Sequence, residues 1–267
     1  MTSTPHSVTL SHPLLAQIGR LADRTGVTVY VVGGYVRDLL LGKESRDIDI
    51  LVMGDGIAFA RVVAGEMGNP AVVTYERFGT AMLPLPSGKM EFVGARKEKY
   101  SASSRNPDVA PGTLEDDLRR RDFTVNALAV ALNGDRSGML MDLFEGRRHL
   151  DEKMLRTPLD PAETFDDDPL RMLRALRFAS QLEFTVDPGV LQAIGQMKDR
   201  VRIVSQERVS EELQDPRHAP PLDRVEAHAG DRVVACRPAR DRRHGRRGPA
   251  ERLPSQGRLP AYLHRRG

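Results

Sequence analysis

The sequence has little of what several classes of protein need. Its single cysteine, Cys236, excludes an internal disulfide and a multi-thiolate metal site, which fits a reducing compartment. No run approaches the roughly 18 apolar residues of a membrane helix, and the N-terminus lacks the basic and apolar regions of a secretory leader. We therefore expect a cytoplasmic protein without a membrane partner, whose 267 residues form one large domain or two small ones.

Positive charge is concentrated at one end of the chain. The net charge is +3, but residues 215–267 contain 13 arginines, no lysine and six acidic residues, so the rest of the chain is negative. In that segment Leu, Ile, Val and Phe supply only 7 of 53 residues, too few to offset the chain entropy lost on folding. We expect a disordered basic tail, and the net charge does not indicate that the whole chain binds nucleic acid.

The pattern of apolar residues predicts an α+β protein. Short β-branched runs, including residues 27–32 and 47–52, alternate with helical segments in the first half, and amphipathic helices follow. Residues 115–132 are also predicted to be helical. The predicted organisation is an N-terminal helix (1–25), a mixed head (26–150), an incomplete helical neck (151–214) and the tail (215–267).

The strongest local signal joins a glycine pair to two aspartates. The segment GGYVRD at residues 33–38 follows a predicted strand and opens a helix, where the glycine pair lets backbone N–H groups approach a phosphate and Arg37 adds a forked donor. Asp47 and Asp49 alternate on the next strand and project from one face. Such close carboxylates repel without a cation, and hard oxygen ligands favour Mg²⁺. Taken singly, each feature is more often a turn or a solvated strand edge.

Two arginine-rich segments carry the remaining candidates. In LEDDLRRRDFTVNALAV, residues 114–130, we expect Arg121 to be held by packing. DDDPLRMLRALRF, residues 166–178, predicts a helix with Leu176 on its buried side and a polar ridge at three-residue steps, formed by Asp168, Arg171, Arg174 and Arg177. A solvated, salt-bridged face is the alternative for both segments. An Asp acceptor beside an Arg donor matches the edges of cytosine and adenine and rejects guanine and uracil, which predicts binding of CTP and ATP.

These motifs, in this order, resemble the class II tRNA nucleotidyltransferases, or CCA-adding enzymes, and the bacterial poly(A) polymerases. The resemblance covers about residues 27–213. It implies a polymerase-β-like nucleotidyltransferase head, an all-α neck, and template-independent transfer from CTP and ATP to the 3′ end of tRNA. It also implies that Asp47 and Asp49 hold the catalytic metals, that Asp168 and Arg171 read the base, and that the nucleotide is contacted by Gly34, Arg37, Arg121, Arg174 and Arg177.

Phosphoryl-transfer chemistry suggests a mechanism for these residues. A metal held by Asp47 and Asp49 would activate the RNA 3′-hydroxyl, and a second ion would neutralise charge on the departing pyrophosphate. Poly(A) addition shares every motif and is the main alternative. An inactive nucleotide- or RNA-binding remnant is the third interpretation, because the family's tRNA-holding regions beyond the neck are not found in the sequence.

The sequence departs from the family pattern at two positions and at its end. Asp167 stands where Glu is frequent, with the charge kept, and His149 stands where Asp is frequent, which questions a hinge-like role for the EGRRHL segment. We interpret residues 215–267 as an out-of-frame continuation, because codons exist for which a one-base shift restores a family-like, amphipathic sequence. We therefore expect a C-terminally truncated chain, which resequencing between the codons for Leu213 and Asp215 would check.

Overall fold

Strands alternate with helices in the first half of the protein, and helices dominate the second half. The computed structural model describes residues 6–10, 12–86, 88–101 and 104–214, so the predictions for residues 215–267 lie outside the described residues. The strands are β1 (Val29–Val32), β2 (Asp47–Val52), β3 (Val73–Tyr75), β4 (Thr80–Leu85), β5 (Gly88–Gly94), β6 (Arg96–Ser101), β7 (Ser104–Pro111), β8 (Leu128–Ala131), β9 (Leu140–Asp142), β10 (Met154–Leu155) and β11 (Thr185–Val186).

The helices frame these strands and then form the second half. Those of the first half are α1 (Pro13–Thr25), α2 (Gly34–Leu40), α3 (Gly56–Glu66), α4 (Leu114–Arg119) and α5 (Gly146–Asp151). Those of the second half are α6 (Pro161–Asp167), α7 (Leu170–Leu182), α8 (Pro188–Met197) and α9 (Gln206–Gln214). No helix in these described ranges is long and apolar enough to cross a membrane.

Seven strands form one mixed sheet in the order β3-β4-β5-β2-β1-β8-β9. The strand β2 pairs parallel with β5, whereas β1 pairs antiparallel with both β2 and β8. Separately, β6 and β7 form an antiparallel hairpin, and β10 pairs with β11. A mixed sheet followed by helices confirms the predicted α+β class.

The alternating sequence of β2 explains how the sheet presents polar groups at its centre. Ile48 and Ile50 are fully buried in the main core, together with Phe92 of the neighbouring β5. Because alternate residues of a strand face opposite sides, Asp47 and Asp49 project from the other face of the sheet. The same core continues through Phe178 of α7, so the sheet and the second half of the protein share one apolar interior.

The predicted helix over residues 115–132 is wrong. The helix α4 ends at Arg119, a 3₁₀ turn covers Thr124–Asn126, and Leu128–Ala131 form β8, buried throughout between β1 and β9. β-Branched residues in the turn disfavour a continuous helix, and a fully buried strand lacks the alternation that would distinguish it from a helix.

The prediction of which side of α7 is buried is also partly wrong. Leu176 is 43% exposed, whereas Met172, Ala175 and Phe178 are buried. The polar residues of α7 recur every three residues, which is less than the 3.6 residues of a helical turn. The polar ridge therefore winds around the helix, and the apolar face winds with it. Leu176 consequently lies outside the core.

Candidate active site

One cavity of about 700 Å³ brings together side chains from the sheet and from the helices that follow it. Its size is typical of small-molecule sites. Eight arginines and six carboxylates line it, a mixture suited to a polyanion bound together with cations. All nine residues singled out in the sequence line this cavity: Gly34, Arg37, Asp47, Asp49, Arg121, Asp168, Arg171, Arg174 and Arg177.

The two aspartates of β2 form the acidic part of the cavity. The parallel pairing with β5 sets Lys89 opposite Asp47 and Glu91 opposite Asp49, and Lys89 and Glu91 form a salt bridge of 2.5 Å. Burial raises the pKa of Asp49 to about 6; Glu91 and Asp47 also raise it, whereas Arg121 and Lys89 act in the opposite direction. Sequence reasoning missed Lys89 and Glu91, although their alternation in GKMEFV matches that of the aspartates.

The aspartate pair suits a cation that takes further ligands from its substrate. Within the described ranges, no three His, Cys, Asp or Glu side chains are grouped to hold a metal ion. Two carboxylates on one strand face nevertheless fit Mg²⁺, which commonly uses one or two protein carboxylates and completes its shell with phosphate oxygens and water.

Of the glycine pair where β1 turns into α2, Gly33 is the one whose backbone conformation requires a glycine. Gly33 has φ 75° and ψ −136°, which a side chain would strain. A Cβ at Gly33 would lie 2.7 Å from Nη1 of Arg121 and 3.4 Å from Oδ2 of Asp49. A Cβ at Gly34 would lie 3.6 Å from Nη2 of Arg37, which is ordinary contact. Gly33 therefore lets Arg121 approach the aspartates.

Arg37 is buried and held in a fixed orientation. Its Nε donates to Oδ1 of Asp38 at 2.8 Å, its Nη2 forms an ion pair with the same oxygen at 2.8 Å, and its Nη1 donates to Oδ1 of Asn126 at 2.8 Å. Asn126 in turn donates to Oδ1 of Asp122 at 3.0 Å. This chain of hydrogen bonds connects α2 with the segment after α4.

Arg121 is held by a fully buried carboxylate. Its Nη2 and Nε donate to Oδ2 of Asp117 at 2.9 and 3.2 Å, and Arg120 pairs with the other oxygen. Burial alone would raise the pKa of Asp117, but the two guanidinium groups outweigh it and hold the pKa below its usual range. Sequence reasoning missed Asp117, although its four-residue spacing from Arg121 is that of a helical ion pair.

Arg174 and Arg177 extend from α7 toward both the sheet and α9. Nε of Arg174 donates to Oδ2 of Asp122 at 2.8 Å, and its Nη2 forms an ion pair with the same oxygen at 2.7 Å. Both arginines pair with Glu212 of α9. Burial would raise the pKa of Asp122, but Arg174 and the hydrogen bonds from Asn126 and the Phe123 backbone lower it. The guanidinium groups of Arg37, Arg174 and Arg177 lie 5.2, 5.1 and 4.2 Å from the Phe178 ring centroid.

Asp168 and Arg171 line the cavity but hold different partners. Oδ2 of Asp168 accepts from Nη2 of Arg208 at 2.8 Å, and its Oδ1 accepts from the Leu170 N–H at 3.2 Å. Arg171 donates from Nη1 to the Thr164 carbonyl at 3.2 Å and from Nη2 to the Arg120 carbonyl at 2.7 Å. Arg208, which sequence reasoning missed, also lines the cavity.

His149 is a buried structural residue behind the site. Its Nδ1 lies 2.9 Å from Oγ1 of Thr124 in the turn between α4 and β8. Burial lowers the pKa of His149, and the nearby Arg148 and Arg156 lower it further, which favours the neutral imidazole. The helix α5 is thereby attached to the turn that carries Asn126.

Comparison with known families matches the sheet half of the cavity and, in its helical half, the segment that carries Arg208. A family described as the poly A polymerase head domain matches residues 29–156, and a second, described as the probable RNA and SrmB-binding site of polymerase A, matches residues 183–215. The chain belongs to the family of CCA-adding tRNA nucleotidyltransferases and poly(A) polymerases. This assignment confirms the nucleotidyltransferase head that the sequence predicted, in a family of metal-dependent enzymes.

Individual members of this family are similar over much of the chain. The A-adding tRNA nucleotidyltransferase of Geobacter sulfurreducens is 43% identical over 174 residues, 65% of this chain and 19% of that protein. The A-adding enzyme of Aquifex aeolicus is 46% identical over 155 residues, 58% of this chain and 18% of that protein. The solved structure of the Thermotoga maritima CCA-adding enzyme complexed with tRNA has a TM-score of 0.67 at 32% identity, covering 79% of this chain and 50% of its own. This chain spans half or less of each of these relatives.

Proposed function

We propose that the chain transfers nucleotides from CTP and ATP to the 3′ end of tRNA without a template, using Mg²⁺ held by Asp47 and Asp49. The observation that carries this proposal is that the aspartate pair, the arginines, and the Asp168 and Arg171 side chains all line one cavity. The names of the similar proteins, A-adding tRNA nucleotidyltransferases and CCA-adding enzymes, support tRNA as the acceptor.

The aspartates offer the ligands that a hard cation prefers. Asp47 and Asp49 face the cavity from alternate positions of β2. With a pKa of about 6, Asp49 is largely ionised at neutral pH and can act as a ligand. Mg²⁺, when bound, supplies Lewis acidity toward the reacting hydroxyl and phosphate oxygens.

Four arginines are proposed to bind the sugar and triphosphate, and each is oriented before the nucleotide arrives. Every one of them pairs with a carboxylate of the described chain, so little side-chain freedom is lost on binding. Guanidinium groups suit phosphates because their planar donors can bind two oxygens at once. The four are Arg37, Arg121, Arg174 and Arg177.

Asp168 and Arg171 are proposed to read the base. Asp168 is held by a hydrogen bond from α9, and Arg171 by hydrogen bonds to α6 and to the segment after α4. The acceptor and the donor therefore keep fixed positions. A carboxylate has about four lone-pair sites, which leaves Asp168 able to accept from an exocyclic amino group. Cytosine and adenine present an amino donor beside a ring-nitrogen acceptor, whereas guanine and uracil present the reverse.

Poly(A) addition is the second candidate, because the matching family is described by that activity. Both reactions would use the same cavity, and they differ in the acceptor and in the length of the product. In either case we assign nucleotide activation to a head over residues 26–150 and base reading to a neck over residues 151–214. The proposed compartment is the cytoplasm.

The test is incorporation into a tRNA transcript that ends before its CCA. The chain is incubated with this transcript, Mg²⁺ and each nucleotide separately or CTP and ATP together, and the 3′ ends are sequenced. We expect CTP and ATP to be used in preference to GTP and UTP, and the products to end in CCA. A long adenosine tract would indicate poly(A) addition. Nucleotide binding without any incorporation would indicate a binding protein.

A further inference from the structure

The sheet face that carries the catalytic aspartates continues to the outer strand. Asp49 lies opposite Glu91 of β5, Glu91 opposite Met82 of β4, and Met82 opposite Val73 of β3. Residues opposite one another on neighbouring strands project from the same face. Val73 therefore shares a face with Asp49 and lies about 14 Å away, three strand spacings.

The outer end of this face is exposed and aromatic. The next row of the sheet runs from Leu51 through Val93 and Thr80 to Tyr75. Val73 and Tyr75 are 40% and 49% exposed, and Phe78, just beyond β3, is 55% exposed. The chain has only five tyrosines and eight phenylalanines, so two exposed rings within four residues are a notable concentration.

The proposed nucleotide cavity lies on the other side of the aspartates. Its described lining comes from α2, β2 and the segment before it, residues 120–126, Asp168, α7 and α9, with no described residue from β3, β4 or β5. In an in-line displacement, the attacking hydroxyl approaches the α-phosphate opposite the departing pyrophosphate. An acceptor that reaches Asp47 and Asp49 while the cavity is filled would cross the face formed by β5, β4 and β3.

We propose that this face binds the single-stranded 3′ end of the RNA acceptor, with Tyr75 stacking against a base. The inference rests on the proposed function, because it identifies where the acceptor of that reaction lies. Bases stack on exposed aromatic rings without regard to sequence, as a site that receives many tRNAs requires. The side chain of Lys89 is 47% exposed beside the aspartates and is a cation for an RNA phosphate close to the reacting end.

The first test measures binding of a short fluorescent oligoribonucleotide ending in CC to the full chain, by anisotropy at low and high salt. Tyr75→Ala should weaken binding about tenfold, whereas Tyr75→Phe, which keeps the ring, should remain within about twofold of the parent. Leu143→Ala removes another exposed apolar side chain, just beyond β9 at the opposite edge of the sheet, and should have no effect. The loss in Tyr75→Ala should persist at high salt, since stacking is not a charge effect.

CTP binding is measured on the same proteins, so that the two proposals fail separately. Unchanged oligonucleotide binding by Tyr75→Ala, in a protein that still binds CTP, would overturn the acceptor face alone. Failure of the parent chain to bind CTP or ATP would contradict the proposed function.

The second test locates the RNA directly. An oligoribonucleotide with a photoreactive uridine near its 3′ end is cross-linked to the chain, and the modified peptides are identified by mass spectrometry. We expect modification within residues 73–78. Cross-links confined to other segments would overturn the proposal, as would a change of oligomeric state in Tyr75→Ala without loss of RNA binding, which would make β3 a protein contact.

Discussion

The carboxylate oxygen Oδ2 of Asp122 accepts a hydrogen bond from Nε of Arg174 at 2.8 Å and forms an ion pair with its Nη2 at 2.7 Å. Asp122 follows α4 in the first half of the protein, and Arg174 lies on α7 in the second half. The same carboxylate accepts from Asn126, which binds Arg37. One buried acidic group thus aligns two of the proposed nucleotide-binding arginines from opposite walls of the cavity.

Replacing Asp122 should therefore destabilise the fold. Asp122→Ala leaves Arg174 without its main partner, and we expect the free energy of unfolding to fall by about 2–3 kcal/mol. This is less than for a fully buried pair, because the side chain of Arg174 is partly exposed. Urea unfolding at pH 7 measures it. The matched control is Asp166→Ala, which breaks the exposed pair with Arg200 and should cost less than about 0.5 kcal/mol.

The contribution of Asp122 also has a defined pH dependence. Its pKa is lower in the folded protein than in the unfolded chain, where it is about 4, so its stabilisation is present above pH 4 and is lost as the pH falls through the folded value. The difference in stability between the parent and Asp122→Ala should shrink in acid. A difference that stays constant from pH 7 to pH 3 would contradict the ion-pair explanation.

The candidate site residues, which the structure gathers in one cavity, could be singled out from the sequence because their signals are local. The alternation of DIDILV places both aspartates on one face of β2, and GGYVRD marks the turn into α2. The partners of these residues were not predicted where they lie far along the chain. Arg208 is 40 residues from Asp168, and Glu212 is 35 from Arg177. Such contacts depend on how helices pack, which a single sequence does not specify.

The error at residues 115–132 has a different physical cause. The segment LAVA, residues 128–131, is equally compatible with a helix and with a buried strand. It forms the strand β8 because it pairs between β1 and β9. Asp117 and Asn126 were missed although both lie four residues from a partner, Arg121 and Asp122 respectively. That spacing would have found the helical pair of Asp117 and Arg121. The same spacing within the predicted helix would also have suggested Asp122 and Asn126, although in the structure their hydrogen bond forms across a 3₁₀ turn.

The two glycines before and within α2 should respond differently to alanine. Gly33→Ala places a side chain on a backbone with positive φ and against Arg121. We therefore expect the free energy of unfolding to fall by at least about 1–2 kcal/mol and nucleotide transfer to be reduced. Gly34→Ala meets only ordinary contacts and should leave the free energy of unfolding within about 0.5 kcal/mol. Its effect should be limited to nucleotide affinity, measured by calorimetry. Equal destabilisation by both substitutions would contradict this distinction.

Arg171→Ala should relax base choice more than it weakens triphosphate binding. Arg171 is proposed to donate to the base edge, so preference for CTP and ATP over GTP and UTP should fall at least about tenfold. Incorporation of the four nucleotides is compared between the parent and the variant. Arg177→Ala is the control, because a phosphate contact should affect all four alike. If Arg171→Ala also lowered all four equally, Arg171 would belong with the phosphate-binding arginines.

The most direct measurement of the central claim follows transfer and stability together in Asp49→Asn. The raised pKa of Asp49, about 6 against 3.8, means that ionisation costs stability, and this cost develops as the pH rises from about 4 to 6. Asp49→Asn should therefore be more stable than the parent at pH 7 by about 1–3 kcal/mol, and no more stable near pH 4. The same protein should have lost nucleotide transfer to the tRNA end, because one of the two proposed metal ligands is gone. A folded Asn variant that turns over near the parent rate would contradict the assignment of this cavity as the active site.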